Sequence, residues 1–168
     1  MEKGLTAMEA MFNPGSVAVI GASDNPGKLG SHVMRSLTEG KYPGKIFPVN
    51  PGRDEIMGIK TYPSLLQVPE SVDLSVIVLP AESVPKTVVE CAEKGVRGIV
   101  LITAGFKEIE DKRGEILQRE ITELASPSGI KIIGPNTFGI VNLHLPLNAS
   151  FTPEFSLVEK GGISFVSQ

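Results

Sequence analysis

Short, β-branched apolar runs alternate with helix-patterned stretches along most of this chain, and that alternation constrains the fold more than any other feature. Val17-Ala18-Val19-Ile20, Lys45-Ile46-Phe47-Pro48-Val49, Leu74-Ser75-Val76-Ile77-Val78-Leu79, Ile99-Val100-Leu101-Ile102 and Ile130-Lys131-Ile132-Ile133 each read as a strand, and Ile59-Lys60-Thr61-Tyr62 adds a shorter one. Between them the spacing predicts a helix over about Gly30 to Glu39, with Val33, Met34 and Leu37 on one face. A second runs over Ser83 to Lys94 with Val84, Val88, Cys91 and Ala92 as its stripe, and a third over about Glu110 to Leu124 with Leu117, Ile121 and Leu124. A brief helix through Leu65 and Leu66 follows Pro63-Ser64. Gly40, Pro80, Gly95 and the run Ser126-Pro127-Ser128-Gly129 are the breakers, while Pro85 is tolerated in the first turn of its helix. Strands apolar on both faces and joined through helices pair in parallel. The expected fold is therefore α/β: a doubly wound, mostly parallel Rossmann-like sheet of roughly six strands with helices on both faces.

Composition narrows the function classes. The 168 residues suit one domain, or one domain and the start of another. A net charge of −3 with both signs interspersed offers neither a nucleic-acid face nor an attraction to anionic lipid, so any phosphate site has to be local. The lone Cys91 excludes an internal disulfide, and its place on an apolar stripe predicts a buried, inert thiol. The chain has no apolar run of membrane-spanning length and no secretion signal, which makes the cytoplasm the expected compartment. No metal-ligating cluster is predicted. From Leu143 to Gly162 prolines and polar residues predict an extended surface connector. The closing Gly161 to Gln168 reads as a strand without a partner, so residues 1–142 are expected to form the first domain, 143–162 a linker, and 163–168 the first strand of a second, truncated domain.

The strand Val17–Ile20 runs directly into GASDNPGKLG, Gly21 to Gly30. Glycines allow backbone amides to approach a phosphate closely, and the helix that follows adds its positive end. A nucleotide is the expected ligand. The spacing is not GxGxxG, because Asp24-Asn25-Pro26-Gly27-Lys28 is inserted before Gly30. The second strand ends in Asn50-Pro51-Gly52-Arg53, without the acid that holds the ribose of NAD, whereas Arg53 could meet a ribose phosphate. Coenzyme A and NADP both fit. Each feature has a plain structural alternative: a tight strand-to-helix connection at Gly21–Gly30, a solvated charge at Arg53, a turn and sheet cover at Gly105 and Phe106, local backbone capping at Asn136. His32 and His144 read as surface or structural residues, and Glu108 and Glu110 as acids favouring a helix dipole.

FNPGSVAVIGASDNPGKLG, FPVNP with GIKTYPSL, VIVLPAE, ITAGFKE and GPNTFGIVN follow in an order that resembles the CoA-binding domain of nucleoside-diphosphate-forming (ADP-forming) acyl-CoA synthetases, relatives of the succinyl-CoA synthetase α subunit. The resemblance runs from about Met11 to the end. It implies that coenzyme A lies across the strand carboxyl ends, its phosphates near Gly21, Ala22, Ser23, Lys28, Leu29 and Gly30. Adenosine contacts would come from Asn50, Pro51, Arg53, Val78, Leu79, Pro80 and Ala81, and the pantetheine arm would pass Thr103, Ala104, Gly105 and Phe106 toward Asn136. The implied reaction of the parent protein is acyl-CoA + ADP + phosphate to acid + ATP + CoA through a phosphohistidine of a further ligase domain, with an ATP-grasp partner and an oligomeric assembly. Neither His32 nor His144 matches that histidine's setting, so this stretch is expected to bind and not to catalyse. The alternatives left open are a domain fused to something else such as an acetyltransferase, an NAD(P)-binding Rossmann domain of an oxidoreductase or redox sensor, and a stand-alone CoA-binding protein.

Overall fold

A computed structural model of the chain describes residues 6–167. Thr6 opens the first element: its side chain accepts from the Glu9 amide while the Glu9 carboxylate takes the Thr6 amide, a reciprocal cap for α1 (Ala7–Phe12). Then follow β1 (Ser16–Ile20), α2 (Leu29–Glu39), β2 (Lys45–Val49), the small antiparallel pair β3 (Glu55–Ile56) and β4 (Ile59–Lys60), and β5 (Leu74–Ile77). The remaining elements are α3 (Val84–Lys94), β6 (Gly98–Leu101), α4 (Lys112–Ala125), β7 (Lys131–Ile133) and the antiparallel hairpin β8 (Gly139–Asn142) and β9 (Leu147–Ser150). Short 3-10 turns cover Leu65–Gln67, Ala81–Ser83, Ser126–Ser128 and Pro153–Leu157.

The central sheet has five strands in the order β2-β1-β5-β6-β7, every pair parallel. Alternate side chains serve two cores. Val17, Val19, Leu74, Val76 and Val100 face α1, α2 and the β8–β9 hairpin, whereas Ala18, Ile20, Ile77, Ile99 and Leu101 face α3 and α4. Burial on both faces explains why these strands are apolar without alternation. The Asp73 carboxylate ties the amino end of β1 by accepting from the amides of Gly15 and Ser16. The connection from β1 leaves toward β2 and the next returns past β1 to β5, so a crevice opens between the carboxyl ends of β1 and β5.

Two expectations need correction. Ile59–Tyr62 does not make a sixth strand of the main sheet: Ile59 and Lys60 pair with β3, and only Tyr62 bridges Val49. Residues 143–162 are not an extended connector. Leu147 to Ser150 form β9, all four buried, and with the turn Pro153–Leu157 they pack on α2. Over 163–167, Ile163, Phe165 and Val166 are exposed and pair with no strand among the described residues, to which Gln168 does not belong.

Candidate functional site

Gly21 ends β1 with φ +92°, and a Cβ there would lie 2.8 Å from the Val78 carbonyl oxygen. Gly30, in the first turn of α2, sits so close to the Gly21 carbonyl that a Cβ would overlap it. The helix start is thereby drawn onto the strand end. The loop between them is tied by its own groups: the Asn25 amide donates to Ser23 Oγ at 3.1 Å, the Gly27 amide to Asn25 Oδ1 at 2.9 Å, and the Lys28 amide to the Asn25 carbonyl at 3.0 Å. His32 Nε2 reaches the Pro26 carbonyl at 2.9 Å. No side chain caps α2 at Lys28, and the amides of Leu29 and Gly30 have no acceptor among the described residues. Two donors at the positive end of a helix, beside an exposed Lys28, are left available to an anion.

The end of β2 supplies the opposite wall. Asn50 Nδ2 donates to the Ala22 carbonyl at 2.8 Å and Asn50 Oδ1 accepts from the Gly52 amide at 2.8 Å, so this amide fastens one loop to the other. Pro51 is exposed beside it. Arg53 lies 3.4 Å from Asp24 Oδ1, with both side chains about half exposed, at 56% and 47%. Such a pair is screened and contributes little to stability. Its value is positional, since it brings Arg53 to the mouth of the glycine-rich loop. Sequence reasoning overlooked Asp24: β2 ends without an acid, yet the first loop brings a carboxylate to the same place.

The other strand ends are stitched in series. Val78 donates its amide to the Ile20 carbonyl at 3.0 Å, Thr103 Oγ1 donates to the Leu79 carbonyl at 2.7 Å, and the Asn136 amide donates to the Thr103 carbonyl at 2.9 Å. Pro80 and Ala104 are exposed, and Ala81 is buried against Gly105. Asn136, at φ +52° after a cis Gly134–Pro135 bond, presents an exposed side chain. Phe106 is fully buried in the α3–α4 core, so its ring packs the sheet and only its backbone belongs to the crevice. The amides of Gly105 and Phe106 donate to the Glu108 carboxylate. Desolvation of that carboxyl works upward, but the amide donors outweigh it and hold Glu108 below the usual carboxylate range. Glu108 therefore has a role other than favouring a helix dipole, because α4 begins only at Lys112 and is capped by Asp111.

The strand-end row thus brings together Gly21 to Gly30, Asn50 to Arg53, Val78 to Ala81, Thr103 to Gly105 and Asn136. Elsewhere, His144 Nε2 meets the Gly161 carbonyl at 3.1 Å, outside the crevice. Cys91 is buried, and burial pushes its thiol up to about 12. No metal-ligating cluster occurs among the described residues. Two concavities, of about 440 and 300 Å³, flank α4 and contain none of the predicted ligand residues.

The model of a CoA binding domain family matches residues 15–142. The chain is 45% identical over 161 residues to the α subunit of acetate–CoA ligase [ADP-forming] II of Pyrococcus furiosus, covering 96% of this chain and 34% of that protein. It is 49% identical over 155 residues to acetate–CoA ligase [ADP-forming] of Methanocaldococcus jannaschii, covering 92% and 21%. Among solved structures, the dinucleotide forming acetyl-coenzyme A synthetase 1 of Ca. Korarchaeum cryptofilum in complex with phosphate and ADP superposes with a TM-score of 0.82 at 41% identity, covering 86% of this chain and 30% of that one. The chain spans about a third or less of the length of these relatives.

Proposed function

The chain belongs to the CoA binding domain family, and from that premise we propose that it holds coenzyme A along the carboxyl ends of β1, β2, β5, β6 and β7. The carrying observation is the uncapped start of α2, with the Leu29 and Gly30 amides open beside Lys28 and with Arg53 across the mouth. The cradle suits the pyrophosphate, and Arg53 suits the ribose phosphate that coenzyme A carries. Gly21, Ala22, Ser23, Lys28, Leu29 and Gly30 would surround the diphosphate. Pro51, Arg53 and Val78 to Ala81 would meet the adenosine end, with Asn50 holding that wall in place. The pantetheine arm would run past Thr103, Ala104, Gly105 and the backbone of Phe106 to Asn136.

For the whole protein we propose the reaction named in its relatives, ADP-forming ligation of an acid to CoA, with acyl transfer and nucleotide chemistry supplied by a ligase domain and an ATP-grasp partner. The CoA-holding unit is proposed to run to Leu157, since β9 and the turn after it pack on α2, with a second domain opening after residue 162 and the cytoplasm as compartment.

Calorimetric titration with coenzyme A, dephospho-CoA and NADP tests the ligand. Coenzyme A should bind, and removal of its 3′-phosphate should weaken binding by about tenfold, the loss of one charge-assisted contact. Preferential affinity for NADP, or indifference to the 3′-phosphate, would overturn the reading.

A further inference from the structure

Glu108 folds back onto the loop between β6 and α4. Its carboxylate accepts from two successive amides, Gly105 and Phe106, with the Phe106 amide at 3.2 and 3.1 Å from its two oxygens. The loop carrying those donors is anchored without it. The Phe106 ring is buried, Gly114 of α4 packs directly against the Phe106 carbonyl, the Lys107 amide donates to Gln118 Oε1 at 3.2 Å, and Thr103 is tied to Leu79. Taking the Glu108 side chain away would therefore leave two successive donors of an anchored loop without an acceptor, beside Ala81 and the exposed Ala104. Glu108 itself is exposed and three residues along a turn, so it can leave by side-chain rotation.

We propose that the Gly105–Phe106 amide pair is a binding seat for a small carboxylate anion, occupied by Glu108 until a carboxylate ligand displaces it. The inference deepens the CoA reading, on which it rests for its meaning: an acid to be joined to the thiol would be held beside the path of the pantetheine arm. The geometry favours a planar, two-oxygen acceptor, because such a group already fills it.

Amide NMR on the chain and its Glu108→Ala variant, titrated with acetate, inorganic phosphate and chloride at matched ionic strength, tests the seat. In Glu108→Ala the Gly105 and Phe106 resonances should shift saturably with acetate at about tenfold lower concentration than in the wild type, since a charged competitor has been removed. Chloride should leave them still and phosphate should act more weakly. Amides indifferent to acetate, or tighter binding of phosphate, would overturn the proposal. Should Glu108→Ala not fold, the carboxyl carbon resonance of Glu108 in the wild type serves instead. Saturating acetate should move it to the value of a solvated glutamate, and a fixed resonance would refute displacement. A wild type that responds to acetate but does not bind coenzyme A removes the cofactor reading and leaves the seat standing.

Discussion

Gly30 is the residue on which the geometry of the cradle turns. Any side chain there meets the Gly21 carbonyl, which belongs to a backbone already fixed by the Gly21 amide bond to the Val49 carbonyl at 3.1 Å. Neither partner can yield without moving a strand or a helix. Gly30→Ala is therefore expected to destabilise the fold by about 1–3 kcal/mol, the usual cost of overpacking, despite the better helix propensity of alanine. It should also lift the Leu29 and Gly30 amides away from the mouth and weaken coenzyme A binding. Urea melts and calorimetry on the same variant check both, and wild-type stability would contradict the interlock. Other residue-scale features depend on partners distant in sequence. Asn50 reads as a ligand contact, yet its amide is engaged by Ala22 and Gly52; Asp24 reads only as part of the insertion before Gly30, yet it reaches Arg53.

Among the elements, the β8–β9 hairpin has the least expected role. Leu147 and Ala149 join Val33, Met34 and Leu37 of α2 in one core, and Ser156 Oγ donates to the Ser36 carbonyl at 3.1 Å. Leu147→Ala should cost about 2–5 kcal/mol through the cavity it leaves. Because the loss falls on α2, thermal melting with and without coenzyme A should show a smaller ligand-induced shift than a core truncation on the α3–α4 side gives. An equal shift would mean that the hairpin does not support the cradle. The parallel sheet and its three long helices were legible in the sequence because each carries a sustained apolar pattern. The hairpin was not, because Asn148 and Ser150 read as surface residues. They are buried through hydrogen bonds to each other and to Thr152 and Ser156, and no periodicity announces such a network. The helix α1 left a legible signal in its Thr6–Glu9 spacing that the reading passed over, while the two-residue strands β3 and β4 are too short to show any pattern.

At the scale of the molecule, two cores separated by one sheet divide the chemistry. On the α3–α4 side Cys91 is held far from water, its thiol pushed up to about 12 by burial. The folded state therefore keeps a proton that the unfolded chain gives up above the ordinary thiol value of about 8.5, so stability should fall as pH rises from there. Cys91→Ala should flatten that decline in denaturant melts taken between neutral and alkaline pH, and an unchanged slope would place the titration elsewhere. The α1–α2 side is closed by residues far apart in sequence, with Asn142 Nδ2 donating to the Phe12 carbonyl at 2.7 Å across 130 positions. During synthesis, then, α2 leaves the ribosome before the β8–β9 hairpin and waits with its apolar stripe bare until the hairpin and the turn after it are out. Nascent chains stalled before Leu147 should be the ones that chaperones hold and proteases cut, and release should coincide with the first ability to retain coenzyme A.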